Sequence, residues 1–150
     1  MYARILVPVD GSPTSELGLG QAIELASALK SHLVLLCVVD DFSLRTDMVS
    51  ALSFDDTRAR LLAYGKETLA EAGQRATQAG LSHEAVLREV TSQRVADVIV
   101  EEATRQHCGL IAMGTHGRRG LNRLAMGSDA ALVLREAPVP VLLVRGHGDE

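Results

Sequence analysis

The sequence contains no tryptophan and only four other aromatic residues, two tyrosines and two phenylalanines, in 150 positions. Aliphatic side chains must therefore supply the core, and 47% of the residues are hydrophobic. No apolar run approaches the roughly 18 residues of a transmembrane helix, and the first residues start a strand pattern directly. We therefore expect no membrane span, no secretory leader and a cytoplasmic location.

Cysteine is equally scarce. Cys37 and Cys108 each lie in or beside an apolar run, which indicates buried thiols in a reducing compartment and no disulfide framework. The histidines show no metal-ligand spacing with the cysteines or with one another, so we expect no structural zinc. The net charge of −4 argues against nonspecific binding to nucleic acid.

Several sequence motifs of nucleotide binding and catalysis are also absent. The chain has no GxxxxGK[ST] loop, hence no P-loop lysine for the β- and γ-phosphates, and no GxSxG nucleophile elbow. Gly18 and Gly20 fall inside a helical pattern and lack the third glycine of a dinucleotide fingerprint.

Short apolar runs alternate with amphipathic runs along the chain. The apolar runs predict strands at 4–9, 33–39, 82–90, 109–113 and 141–144. The amphipathic runs predict about four helices: one starting after Ser12, one at 56–79, one at 93–106 and one ending near 136. Strands that alternate with helices pair in parallel through right-handed crossovers. We predict a single domain over 1–150, an α/β doubly wound (Rossmann-like) sandwich with a five-stranded parallel sheet.

Local signals refine this prediction. Ser12 is a candidate N-cap with Pro13 at the first helical position, and Thr91 or Ser92 is a candidate N-cap of the third helix. Residues 41–55 show no clear period and are interpreted as a loop that could include a short helical turn at 48–52. Gly65 and Gly73, inside the second helix, predict close contact with the sheet.

Residues 114–128 form a glycine-rich segment with an excess of positive charge. It contains four glycines and three arginines, and no acid precedes Asp129. It lies between a predicted strand and a predicted helix, where backbone N–H groups and the helix dipole favour an anion. On an acidic chain, this local charge favours a small anion over a nucleic-acid face. No general base is evident near the segment, so efficient hydrolysis is not supported.

The glycine-rich segment also carries a resemblance. The spacing Gly114-x2-Gly117-x9-Gly127-Ser128 resembles the ATP-binding motif of the universal stress protein family. Residues 5–12 resemble the family's first strand and turn, and residues 137–144 resemble its last strand. The resemblance covers nearly the whole chain. It implies an ATP-binding regulatory or interaction module of the stress response. We also expect Mg²⁺ or Mn²⁺ with the nucleotide, because the carboxylate of Asp129 would repel a phosphate unless a cation lies between them.

The resemblance also implies roles for single residues. Asp10 resembles the residue near ribose and adenine, and Val38 the residue whose backbone meets the adenine edge. The base and sugar pocket would be lined by Pro8, Val9 and Met113. The phosphates would be surrounded by Gly114, Gly117, Arg118, Gly127, Ser128 and Asp129. Asp10 and Asp129 could also hold the divalent cation bound to the nucleotide.

Each role has a simpler alternative. Gly127-Ser128 could be only a helix N-cap, Arg118 with Arg119 and Arg123 a solvated face, and Asp10 an Asx turn. Val38 could be an ordinary strand residue, and Pro8 with Met113 core filling. His116 could contact phosphate when protonated, or be a turn residue.

Three positions depart from the family pattern. Asp129 replaces a small or uncharged residue after the Gly-Ser pair, and its charge opposes a phosphate. Thr91 replaces a common glycine, and Gly109 a common aspartate before the fourth strand. Three functions therefore stay open: an ATP-binding regulatory module with an unknown protein partner, a slow ATPase or nucleotidyl-transfer enzyme, and a stress protein that binds no nucleotide.

The last strand, at 141–144, is predicted to lie on a sheet edge because Pro140 precedes it. An apolar edge exposes unpaired backbone groups and favours pairing with a second copy. The dimers of the family add to this expectation, so we predict a homodimer through Val141 to Val144, with no membrane or nucleic acid as partner.

Overall fold

A computed structural model describes residues 1–42, 51–116 and 126–146, without the side chains of 51–53. The strands within these residues are β1 (Arg4–Pro8), β2 (His32–Asp40), β3 (His83–Val90), β4 (Leu110–Gly114) and β5 (Val141–Val144). The helices within them are α1 (Pro13–Leu29), α2 (Ala51–Gln78), α3 (Val95–Arg105) and α4 (Ser128–Glu136).

The strands form one parallel sheet in the order β3-β2-β1-β4-β5. The chain winds outward from β1 to β3 and then crosses back to β4, so the winding reverses between β1 and β4. β3 and β5 lie at the two edges. The predicted doubly wound α/β fold is confirmed, and so is the edge position of the last strand.

The helices cover both faces of the sheet. Leu19, Ala22 and Ala26 of α1 pack with Leu69 and Ala72 of α2 against one face. The opposite face packs against α3 and α4 through small and aliphatic side chains: Ala96, Ile99, Ala103, Ala130 and Val133. As the composition predicts, the buried hydrophobic residues of both layers are aliphatic apart from Met113, Cys37 and Cys108.

The predicted start of α1 is confirmed, whereas that of α3 is wrong. Ser12 is the N-cap of α1, and its hydroxyl accepts a hydrogen bond from the Ser15 N–H. The N-cap of α3 is Arg94, not Thr91 or Ser92, and it makes no side-chain cap. Instead, the Arg94 guanidinium holds the Asp97 carboxylate in the first turn through two bonds of 2.9 and 2.7 Å.

The predicted loop at 41–55 is wrong over its last part, because α2 already begins at Ala51. Asp55 and Asp56 are exposed, so this part of the helix shows little apolar period. Residues 43–50, which include most of the predicted loop, lie outside the described residues.

Two glycines in α2 allow the helix to lie against β3, as predicted. A Cβ at Gly65 would stand 2.8 Å from Leu87 Cδ1, and one at Gly73 would stand 2.9 Å from His83 Nε2. Both contacts are closer than real Cβ atoms tolerate, so a larger residue would make either the Leu87 or His83 side chain or the helix itself shift.

Cys37 and Cys108 are both buried free thiols, in agreement with the prediction of no disulfide. Among the described helices, none is long and apolar enough to cross a membrane.

Candidate functional site

In open parallel sheets, ligands bind beyond the carboxyl ends of the strands, where the winding reverses. In this chain that place lies between β1 and β4. Asp10 follows β1, Gly114 ends β4, and Val38 lies near the end of β2. The fold therefore brings three predicted site residues, far apart in sequence, to one edge of the sheet.

The turn after β1 is held by hydrogen bonds around Asp10. The Asp10 carboxylate accepts from the Ser12 N–H through Oδ1 at 2.8 Å, and the Asp10 N–H donates to Ser15 Oγ at 3.0 Å. The alternative of an Asx turn is thus present in the structure. It does not exclude a ligand, because a carboxylate has about four acceptor positions on its two oxygens.

A residue that the sequence did not single out completes this turn. Tyr64, on α2, donates its hydroxyl to the Asp10 carbonyl oxygen at 3.1 Å. A Cβ at Gly11 would lie 2.3 Å from the same hydroxyl, and Gly11 has a φ of +79°. Position 64 follows a helical pattern like its neighbours. The signal that could have found it is the scarcity of aromatic residues in the chain.

Two of the predicted pocket residues, Pro8 and Val38, are only half-buried, and a third, Met113, is 7% exposed. Val38 and Met113 belong to the α3/α4 face, and strand alternation from Leu6 places Pro8 on the same face. Pro8 and Val38 can therefore offer an apolar surface at the carboxyl edge, whereas Met113 is buried in the core, the simpler alternative for that residue.

Val9, which was expected in the same pocket, does not join these residues. Its side chain is 3% exposed and packs in the α1/α2 layer, on the other face of the sheet. Only its backbone lies at the carboxyl edge, where the Val9 N–H donates to the Leu36 carbonyl oxygen at 2.8 Å.

Gly114 is buried against the first turn of α1. A Cβ at this position would stand 2.6 Å from the Thr14 carbonyl oxygen, and one at Gly18 would stand 2.9 Å from the Gly114 nitrogen. The packing of α1 on β4 is therefore enough to explain this glycine, without a ligand on that side.

The start of α4 lies beside the end of β4. The Gly127 N–H donates to the Thr115 carbonyl oxygen at 2.7 Å, and Gly127 is the N-cap of the helix. The N-cap residue of α4 contributes no side-chain hydrogen bond, in contrast to the serine cap of α1. Ser128 and Asp129 form an exposed first turn. Gly117, Gly120, Arg118, Arg119 and Arg123 lie outside the described residues.

The alternative of a Gly127-Ser128 helix cap is thus present in part, because Gly127 caps through its backbone alone. The described side chains alone provide too few ligands for a metal ion at this site. Within the part of the chain that the structure describes, no group of three His, Cys, Asp or Glu side chains could hold a metal ion. Asp10 and Asp129 fit a divalent ion only as additional oxygen ligands to an ion that arrives with phosphate.

Comparison with known proteins shows which family this chain resembles over most of its length. The chain matches the model of the universal stress protein family over residues 1–145. A universal stress protein of Methanocaldococcus jannaschii is 32% identical over 146 residues, which cover 97% of this chain and 83% of that relative.

Two solved structures with named ligands are similar to the whole chain. One is the universal stress protein from Archaeoglobus fulgidus in complex with dAMP, at 25% identity and a TM-score of 0.70, with 96% of this chain and 98% of that chain covered. The other is a universal stress protein in complex with cAMP, at 25% identity and a TM-score of 0.66, with 96% and 97% covered.

Proposed function

This chain belongs to the universal stress protein family, and from that premise we propose that it binds ATP between β1 and β4 and acts as a regulatory module. The observation that carries the proposal is the start of α4. The Gly127–Thr115 hydrogen bond holds this helix end at the point where the winding of the sheet reverses. A helix N-terminus without a side-chain cap leaves N–H groups for an anion such as a phosphate.

The remaining parts of a nucleotide have suitable neighbours along the same edge. Pro8 and Val38 offer apolar surface to a base, Met113 supports them from the core below, and the Val38 backbone can meet the polar edge of the base. The Asp10 carboxylate can accept from a ribose hydroxyl, because an ionised carboxylate only accepts and has about four acceptor positions on its two oxygens. Base, sugar and phosphate would then follow the sheet edge from β2 across β1 to β4.

The dAMP and cAMP complexes of the two similar proteins support an adenine nucleotide as the ligand class. We propose the triphosphate with Mg²⁺ or Mn²⁺ because of two features of the sequence. The Gly117 and Arg118 positions extend the phosphate-binding segment, and Asp129 requires a cation between its carboxylate and a phosphate.

The proposal includes a homodimer through β5. This edge strand consists of apolar residues, and Leu142 is 37% exposed. Leu134 of α4, on the neighbouring helix, is 50% exposed. The other edge strand, β3, itself carries charged side chains, Glu84 paired with Arg4 and Arg88 paired with Glu102. Charged side chains on an edge strand discourage pairing, so β5 is the edge suited to a second copy.

Calorimetric titration of the purified protein with ATP, in the presence of Mg²⁺ and then of EDTA, tests the proposed function. GTP serves as the control for the base, and AMP as the control for the phosphates. We expect ATP with Mg²⁺ to bind more tightly than either control. Heat changes that are equal and negligible for all three nucleotides would contradict nucleotide binding and favour a family member that acts by assembly alone.

A further inference from the structure

Tyr64 connects helix α2 to the turn between β1 and α1. The residue lies on the α1/α2 side of the sheet, and its hydroxyl reaches the Asp10 carbonyl oxygen at 3.1 Å. The ring tip stands so close to Gly11 that a Cβ there would lie 3.2 Å from the Tyr64 Cζ atom. The side chain is 36% exposed, so a core-packing role does not account for its position.

Two other bonds of Asp10 are local. The Asp10 N–H bonds to Ser15, and the Asp10 carboxylate accepts from Ser12, so both partners belong to the turn or to the first residues of α1. Tyr64 is distant in sequence and holds the third polar group of Asp10, the carbonyl oxygen. This bond therefore ties the turn to a second helix.

The joint that this bond controls is Gly11. Its φ of +79° lies in a region that side-chain-bearing residues rarely adopt. The peptide carbonyl of Asp10 is the group that turns when the chain rotates about this joint. Because Ser15 already holds the Asp10 N–H, a bond to the carbonyl oxygen restrains both peptide planes that meet at the Asp10 Cα atom, and so restrains the direction in which the side chain leaves the backbone.

We propose that Tyr64 is a positioning residue for ribose recognition: by holding the Asp10 carbonyl, it aims the Asp10 carboxylate at the ribose hydroxyls of the bound nucleotide. The proposal rests on the proposed function, since it requires a nucleotide between β1 and β4. Tyr64 itself lies on the face of the sheet opposite Val38 and Met113, so it acts through Asp10 and not by touching the base.

The test compares Tyr64→Phe with Tyr2→Phe, the same change at the other tyrosine of the chain. Tyr2 precedes β1 at the opposite end of the strand and provides the matched control. Each protein is titrated with ATP and with 2′,3′-dideoxy-ATP, both with Mg²⁺. Thermal unfolding of each variant shows whether the fold is retained.

We expect Tyr64→Phe to weaken ATP by about three- to tenfold, the range of one lost neutral hydrogen bond, and to leave dideoxy-ATP within about twofold. Tyr2→Phe should leave both nucleotides unchanged. In an Asp10→Asn background, Tyr64→Phe should have no further effect on ATP, because its route through the carboxylate is already lost.

Three results would overturn the proposal. Unchanged ATP affinity in Tyr64→Phe would show that the bond to Asp10 does not matter for the ligand. Equal weakening of ATP and dideoxy-ATP would reduce Tyr64 to a general structural role. If the unaltered protein binds neither nucleotide, the proposed function fails, and this inference fails with it; the first two results leave the proposed function intact.

Discussion

Thr14 occupies the place that a side chain on Gly114 would need: a Cβ there would come within 2.6 Å of the Thr14 carbonyl oxygen and 2.7 Å of its Cγ2 atom. The close atoms include backbone, which cannot rotate away as a flexible side chain could. The contact joins the start of α1 to the end of β4, the two elements on either side of the proposed phosphate site.

Gly114→Ala should therefore destabilise the protein by about 1–3 kcal/mol or more, the usual cost of overpacking. Urea denaturation measures the change. The control is Gly109→Ala at the other end of β4, where an added Cβ meets its nearest atom at an ordinary 3.6 Å. A loss no larger than that of the control would mean that α1 shifts freely on β4.

Gly127→Val should abolish ATP binding and leave the fold intact. Gly127 has a φ of −58°, so a side chain at this position causes no backbone strain. Its bulk would instead occupy the approach to the N-terminus of α4. Calorimetry gives the affinity, and circular dichroism gives the fold.

The control for this glycine is Gly109→Val, at the residue that directly precedes β4 at the end of the sheet away from the proposed site. It should bind ATP as the unaltered protein does. If Gly127→Val also retains full affinity, the start of α4 does not hold the phosphates.

Asp129→Val should tighten ATP binding at least tenfold when no metal is present. Two unit charges about 5 Å apart at an effective dielectric constant near 20 repel by roughly 3 kcal/mol. The favourable interaction of Asp129 with the helix dipole, about 0.3–1 kcal/mol, is too small to offset this. With Mg²⁺ the difference in ATP affinity between Asp129→Val and the unaltered protein should shrink or reverse, because the ion binds carboxylate and phosphate oxygens together.

Titrations with EDTA and with Mg²⁺, for both proteins, check this prediction. Asp97→Val, which removes the first-turn acid of α3, is the matched control and should change neither affinity. Four equal affinities for the unaltered protein and Asp129→Val would show that Asp129 points away from the phosphates.

Leu142→Lys should convert the proposed homodimer to monomer. Leu142 is the most exposed residue of β5, so a lysine there places charge on the edge without entering the core. Val141 and Leu143 pack against the α3/α4 layer, and lysines at those positions would also disturb folding.

Light scattering at micromolar concentration measures the mass. The control is Leu29→Lys at the end of α1, a leucine of similar exposure, 43%, away from β5. A monomeric unaltered protein, or a dimer that survives Leu142→Lys, would rule out assembly through this strand.

Stability at alkaline pH should depend on Cys108. Burial raises the pKa of its thiol to about 11, whereas an unfolded cysteine titrates near 8.5. A folded-state pKa above the unfolded value gives stability that is complete below about pH 8.5 and is lost as the pH rises through 11. By pH 10 the free energy of unfolding should have fallen by roughly 1–2 kcal/mol from this group alone.

Urea denaturation at pH 8 and pH 10 tests the effect. Cys108→Ala should remove this part of the decline. An identical decline in the unaltered protein and Cys108→Ala would show that the thiol of Cys108 already reaches solvent in the native state.

Much of the fold could be predicted because its signals are local. Alternating apolar and amphipathic runs gave the element order, and Ser12 with Pro13 gave the start of α1. The N-cap of α3 could not be predicted this way, because Arg94 has no capping hydroxyl. It instead forms an ion pair with Asp97 in the first turn of the helix. The early start of α2 was not predicted from the sequence, because the exposed first turns of this helix show no apolar periodicity.

The candidate site shows the same limit. Asp10, Val38 and Gly127 follow from motifs, and the sheet topology brings their strands and helices to one edge. The side chain of Val9 could not be placed because its position depends on which face of the sheet it occupies. The contact of Gly114 with Thr14 depends on how closely α1 approaches β4. Tyr64 depends on a contact across 54 positions of sequence. Such contacts are properties of packing, and no pattern within a single segment contains them.

The two glycines of α2 that face β3 require the helix and the strand to match in length between two contact points, Gly65 with Leu87 and Gly73 with His83. From Gly65 to Gly73 the helix rises ~12 Å, and from Leu87 back to His83 the strand spans about 13 Å. Two residues of the helix thus cover about the same length as one residue of the strand, and the two segments run in opposite directions. Deleting one residue between the glycines would turn Gly73 by about 100° away from His83, and no deletion of whole residues in β3 could restore the match. Length changes in this half of the domain should therefore be confined to its connections, while α2 and β3 keep a fixed count.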